Sequence, residues 1–368
     1  MEHLTSAAEN ERRHSRMREA MEASGFDALV VAGSEYSGFE GAVAYMSGFM
    51  IVHRYAYVLL PREGQPVLVF PSEARYVGEH SAALVEEQVF VDRPGEWLAD
   101  RLRGQRVGVY GLDYVVCVRD FAAMRDAVDL VPFDVEFDIA RAVKSPDELD
   151  SVRDSVRINT DGFWKFLEAY APGKSAADVL APAERLFVAE GCGRLTMNMV
   201  LVGAEFALAR ADTVLGEFCI PSLEIAGPGG HWVEVSRAIG TPNAEVAPMV
   251  EAYEEYYEAA KTAFRPGASA HEVHRAVSKG FVDRGYHLGH VTGHSIGMTM
   301  IEHPKIGEGI ETPMEENMVF SMHPHVIAPN GRDCLYMQDT WLVTADGGEP
   351  LAGLPMRVFA AGENRPVR

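Results

Sequence analysis

The chain has 368 residues, of which 47% are hydrophobic and 24% charged, and its 33 Lys and Arg against 54 Asp and Glu give a formal net charge of −21. This composition is typical of a globular protein of about two domains and excludes disordered and fibrous classes. This negative charge repels phosphate backbones and anionic lipids, so it argues against nucleic acids and anionic membrane surfaces as partners. A small molecule, a peptide or a second copy of the chain is left as the expected partner.

The spacing of the cysteines and the hydropathy of the chain indicate the cellular compartment of the protein. The four cysteines are far apart in sequence and form no Cys-x-x-Cys pair, so we expect reduced thiols. The first twenty residues lack the apolar stretch of a signal peptide, and no run reaches the roughly 18 apolar residues of a membrane span. The sequence therefore predicts a soluble, cytoplasmic protein.

Residues 1–143 mix helical and strand patterns. A charged amphipathic helix over residues 9–26 precedes a buried strand at 27–33. Two further strands are joined by a turn at residues 61–64, and another strand follows at 105–111. These patterns predict a small α/β domain.

A strong helix start marks the beginning of a second domain, residues 144–368. Ser145 stands at the N-cap, Pro146 at the first helical position, and Glu148 at the spacing of a capping box. We therefore expect a long helix to begin at this boundary.

The second domain contains a weak internal repeat. Residues 172–191 recur 94 residues later at 266–285, with eight identities at that single offset. Each copy reads as a helix, a turn and a second helix followed by strands. Two such copies should pack as pseudo-symmetric halves with a cleft between them.

Polar residues suited to chemistry concentrate in the β-rich stretch after each repeated helix. Each of these residues, taken alone, has an ordinary structural explanation. Most of the 13 histidines of the chain lie in its second half, however, and this concentration favours a functional role for the residues as a group. The candidates are Glu205, Glu224, Glu234, His294, Glu302, His323 and Gln338.

Several segments together resemble the creatinase/prolidase, or pita-bread, family, which includes Xaa-Pro peptidases, methionine aminopeptidase, creatinase and ectoine hydrolase. The segments that carry the resemblance are Arg141-Ala-Val-Lys144-Ser-Pro-x-Glu148, His290-x-x-Gly-His294-x-x-Gly297, Met318-Val-Phe-Ser-Met-x-Pro324 and Asp339-Thr-x-Leu-Val343. The resemblance implies an α/β (α+β) fold class, with a smaller N-terminal α/β domain followed by a C-terminal pita-bread domain.

The family's peptidases hold two divalent metals with two Asp, one His and two Glu. The resemblance places these ligands at Glu224, Glu234, His294, His323 and Gln338. A neutral amide and an imidazole in place of two carboxylates would leave a pair of cations without the charge that offsets their repulsion. We therefore disfavour a two-metal Xaa-Pro dipeptidase.

Creatinase and ectoine hydrolase keep the fold and hydrolyse C–N bonds of small molecules without a metal. The EIAG segment at 224–227 resembles ectoine hydrolase, and the Gly-His-Ser-x-Gly turn at 293–297 resembles creatinase. This resemblance predicts a hydrolase of a C–N bond in a small polar amide, amidine or cyclic amidine, with no cofactor.

Such a reaction needs a base, an acid and a fixed charge near the developing anion. We assign His294 and Glu205 as the acid and base. His323 and Glu234 are expected to orient water and to bind a cationic or amide group of the substrate.

Four residues are assigned to substrate binding: Arg54, Glu224, Glu302 and Gln338. For Arg54 the assignment follows the resemblance to creatinase, in which an arginine of the N-terminal domain reaches the cleft of the neighbouring subunit. The same resemblance predicts a homodimer.

Two alternatives stay open. Glu234, His294 and His323 match a two-His-one-carboxylate set, which would hold one divalent metal ion in a lyase or decarboxylase acting on a small carboxylate. The chain could instead be a non-catalytic family member that binds a ligand.

Overall fold

The computed structural model describes residues 4–35, 41–51, 53–76, 83–193, 196–202 and 205–366. The chain divides into two compact units, Met1–Arg141 and Ala142–Arg368. Both contain helices and sheets, which confirms the predicted mixed α/β class. Among the described helices, none is long and apolar enough to cross a membrane.

The first unit is built on one mixed sheet. Its strands are β1 (Ala28–Ser34), β2 (Tyr55–Pro61), β3 (Val67–Pro71), β4 (Glu87–Val91), β5 (Arg106–Tyr110) and β6 (Asp129–Pro132). Its helices are α1 (Ala7–Ala23), α2 (Gly41–Ser47), α3 (Pro94–Leu102), α4 (Val118–Met124) and α5 (Asp134–Ala142), with a 3₁₀ turn at Ser72–Tyr76. The six strands lie in the order β4-β3-β2-β1-β5-β6. All seven residues of the central strand β1 are buried, as its continuous apolar run predicts.

The second unit contains the repeated helices. They are α6 (Pro146–Ala169), α7 (Ala176–Ala189), α8 (Ala247–Ala263) and α9 (Ala270–Asp283). The capping box at the start of α6 forms, with Ser145 N donating to Glu148 Oε2 at 2.9 Å and Glu148 N to Ser145 Oγ at 3.2 Å. Helices α7 and α9 each have 14 residues and begin 94 residues apart, which agrees with the repeat in the sequence.

The described strands of this unit form three sheets. The strands after α7 are β7 (Met199–Val202), β8 (Glu205–Leu208), β9 (Phe218–Ala226), β10 (Trp232–Ser236) and β11 (Ile239–Gly240). Those after α9 are β12 (His287–Leu288), β13 (Gly293–Ser295), β14 (Glu302–Ile306), β15 (Val319–Met322), β16 (His325–Ile327), β17 (Cys334–Tyr336), β18 (Asp339–Thr344) and β19 (Gly347–Pro350). The orders are β10-β9-β7-β8 with β11 on β9, β14-β13-β15-β18-β19, and β12-β16-β17.

The two larger sheets of this unit are joined next to the candidate residues. Ser236 and Gln338 exchange backbone hydrogen bonds of 3.1 and 3.2 Å. Two residues away, Glu234 N donates to Thr340 Oγ1 at 3.1 Å. These bonds hold β10 of the first half against β18 of the second half, so residues about 100 positions apart in sequence share one buried region.

Arg237 strengthens this junction from inside the core. Its fully buried guanidinium pairs with the carboxylate of Asp339, which is also fully buried. It also donates to the backbone oxygens of Gln338 at 2.5 Å, Leu354 at 2.8 Å and Pro355 at 3.0 Å. One side chain thus connects the end of β10, the start of β18 and the C-terminal segment.

The packing of α6 on α7 leads to a stability prediction. A Cβ at Gly162 would lie 2.2 Å from Cζ of Phe187, a fully buried ring. Alanine favours a helix over glycine by about 1 kcal/mol, but overpacking a core costs about 1–3 kcal/mol. We expect Gly162→Ala to lower the free energy of unfolding by up to about 2 kcal/mol, measured by urea denaturation.

Gly280→Ala in α9 is the matched control for this measurement. A Cβ there would contact only the ends of two flexible side chains, Glu255 at 3.3 Å and Arg284 at 3.5 Å. Its stability should be unchanged or slightly raised. A Gly162→Ala protein more stable than wild type would show that Phe187 moves aside at a smaller cost than the helix preference of alanine returns.

Candidate metal centre

Three buried side chains from three segments converge in the second unit. Glu234 lies on β10, His294 on β13, and His323 directly after β15. One potential ligand atom from each lies within 4.8 Å of the other two. The junction of β10 with β18 and the pairing of β13 with β15 bring the three together.

Glu234 is oriented by two hydrogen bonds to one of its oxygens. Its Oε2 accepts from Ser321 Oγ at 2.5 Å and from Gln338 Nε2 at 2.8 Å. Its Oε1 lies 3.6 Å from Nε2 of His294. Burial raises the pKa of Glu234 to about 7, although both hydrogen bonds oppose this shift. Oε1 is therefore the oxygen turned towards the imidazoles.

His294 is held in a defined tautomer. Its Nδ1 lies 3.0 Å from the backbone oxygen of Ser295. Because a carbonyl oxygen only accepts, the proton is on Nδ1 and the lone pair of Nε2 faces Glu234. Burial lowers the pKa of His294, which favours the neutral ring that binds metal ions.

His323 contributes a second neutral imidazole. Its backbone N–H donates to Thr292 O at 2.9 Å, and its ring centroid lies 4.9 Å from that of His294. Burial lowers the pKa of His323 well below its usual value. Within the described part of the chain, its Nδ1 is buried without a hydrogen-bond partner. Leaving such an atom unsatisfied is costly, and a bound ligand would remove the cost.

This donor set fits one divalent ion. Two neutral imidazoles and one carboxylate oxygen are ligands that Zn²⁺, Fe²⁺ and Mn²⁺ accept. The 3.6 Å between Glu234 Oε1 and His294 Nε2 is close to the ~3.4 Å between ligands around a tetrahedral ion with bonds of about 2.1 Å. The three residues form the one-metal set named above as an alternative.

Glu224 and Gln338 border this cluster but do not complete a second metal position. Glu224 lies opposite Glu234 in the register of β9 and β10. Burial and the charge of Glu234 raise the pKa of Glu224 to about 8. Gln338 Nε2 donates to Glu224 Oε1 at 2.9 Å, so an uncharged N–H group stands where a second ion would need an anionic ligand.

Three other candidates are not members of the three-residue set. Glu205 begins β8 and is exposed, and among the described residues it is not part of the set of potential metal ligands. The carboxylate of Glu302 accepts from Lys144 Nζ at 3.2 Å and from Thr299 N at 3.1 Å. Arg54 belongs to the first unit, where its φ of 70° is in the left-handed region. The roles assigned to these three residues stay predictions.

Two residues of the site were missed. Ser321 is a hydroxyl within the otherwise apolar strand β15, and that interruption of the pattern could have identified it. Tyr336 is buried, accepts from Gln338 Nε2 at 3.1 Å and stacks on His323 with centroids 5.8 Å apart. No spacing in the sequence distinguishes Tyr336 from an ordinary core tyrosine.

Comparisons with known proteins agree on one family. Residues 150–345 match the model of metallopeptidase family M24, and residues 13–143 match the creatinase/prolidase N-terminal domain. The probable dipeptidase PepE of Mycobacterium tuberculosis is 27% identical over 348 residues, covering 90% of this chain and 88% of that protein.

Solved structures show the same fold. Dipeptidase PepE from Mycobacterium ulcerans superposes with a TM-score of 0.82 at 23% identity, covering 97% of this chain and 99% of that one. The prolidase from Pyrococcus horikoshii OT3 gives 0.77 at 20% identity, covering 93% and 98%. The expected pita-bread architecture is confirmed.

These findings overturn two of the predictions. A hydrolase of non-peptide C–N bonds is contradicted because the relatives are named as peptidases. The absence of a cofactor is contradicted because the matched family is one of metallopeptidases and because the structure assembles a set of metal-ligand residues. Of the five positions at which the resemblance places metal ligands, Glu234, His294 and His323 form the set of converging donors. The chain belongs to metallopeptidase family M24 and carries an N-terminal domain of the creatinase/prolidase type.

Proposed function

We propose that the protein hydrolyses the amide bond of dipeptides and holds one divalent ion on Glu234, His294 and His323. The observation that carries the proposal is the buried set of three ligand atoms within 4.8 Å of one another. The names of the relatives, a probable dipeptidase and a prolidase among them, support a dipeptide as substrate.

The chain prepares this set through fixed hydrogen bonds. Ser321 and Gln338 hold Oε2 of Glu234, which leaves Oε1 for the ion. The Ser295 carbonyl holds the proton of His294 on Nδ1, which leaves Nε2 for it. The chemistry that such an ion supplies is Lewis acidity, which polarises a substrate carbonyl and makes water a better nucleophile.

Tyr336 is the additional group suited to contact the substrate. Burial and the nearby Glu234 and Glu224 raise the pKa of its hydroxyl well above the usual value, so it keeps its proton at neutral pH. The hydroxyl lies 3.1 Å from Gln338 Nε2, an amide nitrogen that cannot accept a hydrogen bond, so the hydroxyl proton is left to donate to another group. A neutral donor at this position would stabilise negative charge that develops on a carbonyl oxygen during hydrolysis.

A dipeptidase assay tests the proposal. Protein stripped with a chelator and dialysed should cleave no dipeptide, and one equivalent of Mn²⁺ should restore cleavage within a panel of Xaa-Pro and other Xaa-Yaa dipeptides. Released amino acids are measured by chromatography. Cleavage that resists the chelator would contradict the role of the ion, and Mn²⁺-loaded protein inactive on the whole panel would contradict the substrate.

Other expectations belong to the same proposal. A homodimer, a cytoplasmic location and substrate binding by Arg54 and Glu302 stay predictions. The role of Glu205 as an acid/base residue likewise stays a prediction.

A further inference from the structure

The side chain of Gln338 occupies the space between two buried carboxylates. Its Nε2 lies 2.9 Å from Glu224 Oε1 and 2.8 Å from Glu234 Oε2. Both carboxylates are buried, and Gln338 itself is fully buried. Without a donor between them, two buried carboxylates at this separation repel each other strongly.

The orientation of this amide is determined from both ends. The NH₂ group of Gln338 faces Glu224 and Glu234, and each of them offers it a carboxyl oxygen as acceptor. On the other side, Ser222 Oγ lies 2.8 Å from Oε1 of Gln338 and 2.9 Å from Glu224 Oε1, so its one proton has these two acceptors within reach. The backbone of Gln338 is held by its two hydrogen bonds to Ser236. The NH₂ group therefore cannot swing away to admit an ion without breaking these contacts.

We propose that the Gln338 amide takes the place of a second cation, bridging Glu224 and Glu234 so that the centre holds a single ion. The inference rests on the proposed one-ion site and adds the residue that determines its metal stoichiometry. An ion bound to both carboxylates would lie about 2.0–2.2 Å from each oxygen, in the space that the nitrogen fills.

Exchanging the amide for a carboxylate reverses this arrangement. Gln338→Glu is nearly the same size but would set a third carboxylate beside Glu224 and Glu234. Three buried carboxylates cannot all be ionised without a compensating cation. Oxygen-rich sites of this kind suit Mn²⁺. The variant should therefore bind one more Mn²⁺ per chain than wild type.

The full chain is stripped, loaded with excess Mn²⁺, freed of unbound metal and analysed by elemental analysis. We expect one Mn²⁺ per chain for wild type and two for Gln338→Glu. Electron paramagnetic resonance should show an isolated Mn²⁺ spectrum in wild type and a spin-coupled pair in the variant, since two-metal sites hold their ions about 3.5–4 Å apart. The double variant Glu224→Gln/Gln338→Glu, which removes a neighbouring carboxylate, should return to one ion.

The outcomes separate the two proposals. Wild type with two ions per chain overturns the inference about Gln338, and so does a folded Gln338→Glu protein that gains none. Should Gln338→Glu fail to fold, the wild-type stoichiometry and spectrum still decide the matter. Wild type without any ion contradicts the proposed function, while the gain of one ion in Gln338→Glu would still support the role of the amide.

Discussion

Replacing His294 by alanine is expected to lower the affinity for Mn²⁺ by more than about 100-fold and to abolish dipeptide hydrolysis. Residues that merely orient a ligand already contribute about 10–100-fold to metal affinity, and His294 is itself a proposed ligand. Its Nε2 is the atom that faces Glu234 Oε1 at 3.6 Å. Isothermal titration of the stripped protein with Mn²⁺ measures the affinity.

His287→Ala is the matched control for this substitution. His287 is exposed at the start of β12 and lies outside the three-residue set. Both affinity and hydrolysis should be unchanged in that variant. A His294→Ala protein that binds Mn²⁺ as tightly as wild type would remove His294 from the proposed centre.

Arg237→Met is expected to destabilise the protein by about 3–5 kcal/mol, the usual cost of removing one partner of a buried ion pair. The substitution would leave the Asp339 carboxylate uncompensated in the core and would remove the hydrogen bonds that Arg237 donates to the backbone oxygens of Gln338, Leu354 and Pro355. The midpoint of urea denaturation, followed by far-UV circular dichroism, measures the loss.

Arg153→Met is the comparison for an exposed pair. Arg153 lies 3.7 Å from Asp150, and both side chains are more than half exposed. Exposed pairs contribute about 0–1 kcal/mol, so this variant should unfold close to wild type. If both variants lost the same free energy of unfolding, burial of the Arg237–Asp339 pair would add nothing to its contribution to stability.

Local signals explain which parts of the fold could be predicted. The start of α6 depends on Ser145, Pro146 and Glu148, which lie within four residues of one another. Packing between the repeats is not local in this way. Gly162 of α6 and Tyr256 of α8 are equivalent positions, 94 residues apart, and so are Phe187 and Phe281. The missing side chain at Gly162 lets Phe187 pack directly against α6, whereas the ring centroids of Tyr256 and Phe281 lie 5.9 Å apart.

The candidate site shows the same division. His294 could be identified because glycines flank it in a short motif, and Glu234 and His323 because the resemblance placed ligands there. The bonds among Glu224, Glu234 and Gln338 join β9, β10 and the residue before β18, and no sequence spacing encodes that junction. The predicted loss of metal was wrong because the charges were counted residue by residue, without the hydrogen bonds that turn the remaining donors towards one point.

The partner that sets the tautomer of His294 is the backbone oxygen of the next residue, Ser295. A side-chain acceptor could be deleted by a single substitution, whereas a carbonyl is present whatever amino acid stands at position 295. The backbone conformation of β13 therefore determines which ring nitrogen of His294 carries the proton. Sequence drift at neighbouring positions can alter the surroundings of the centre while the imidazole keeps the same nitrogen turned inward.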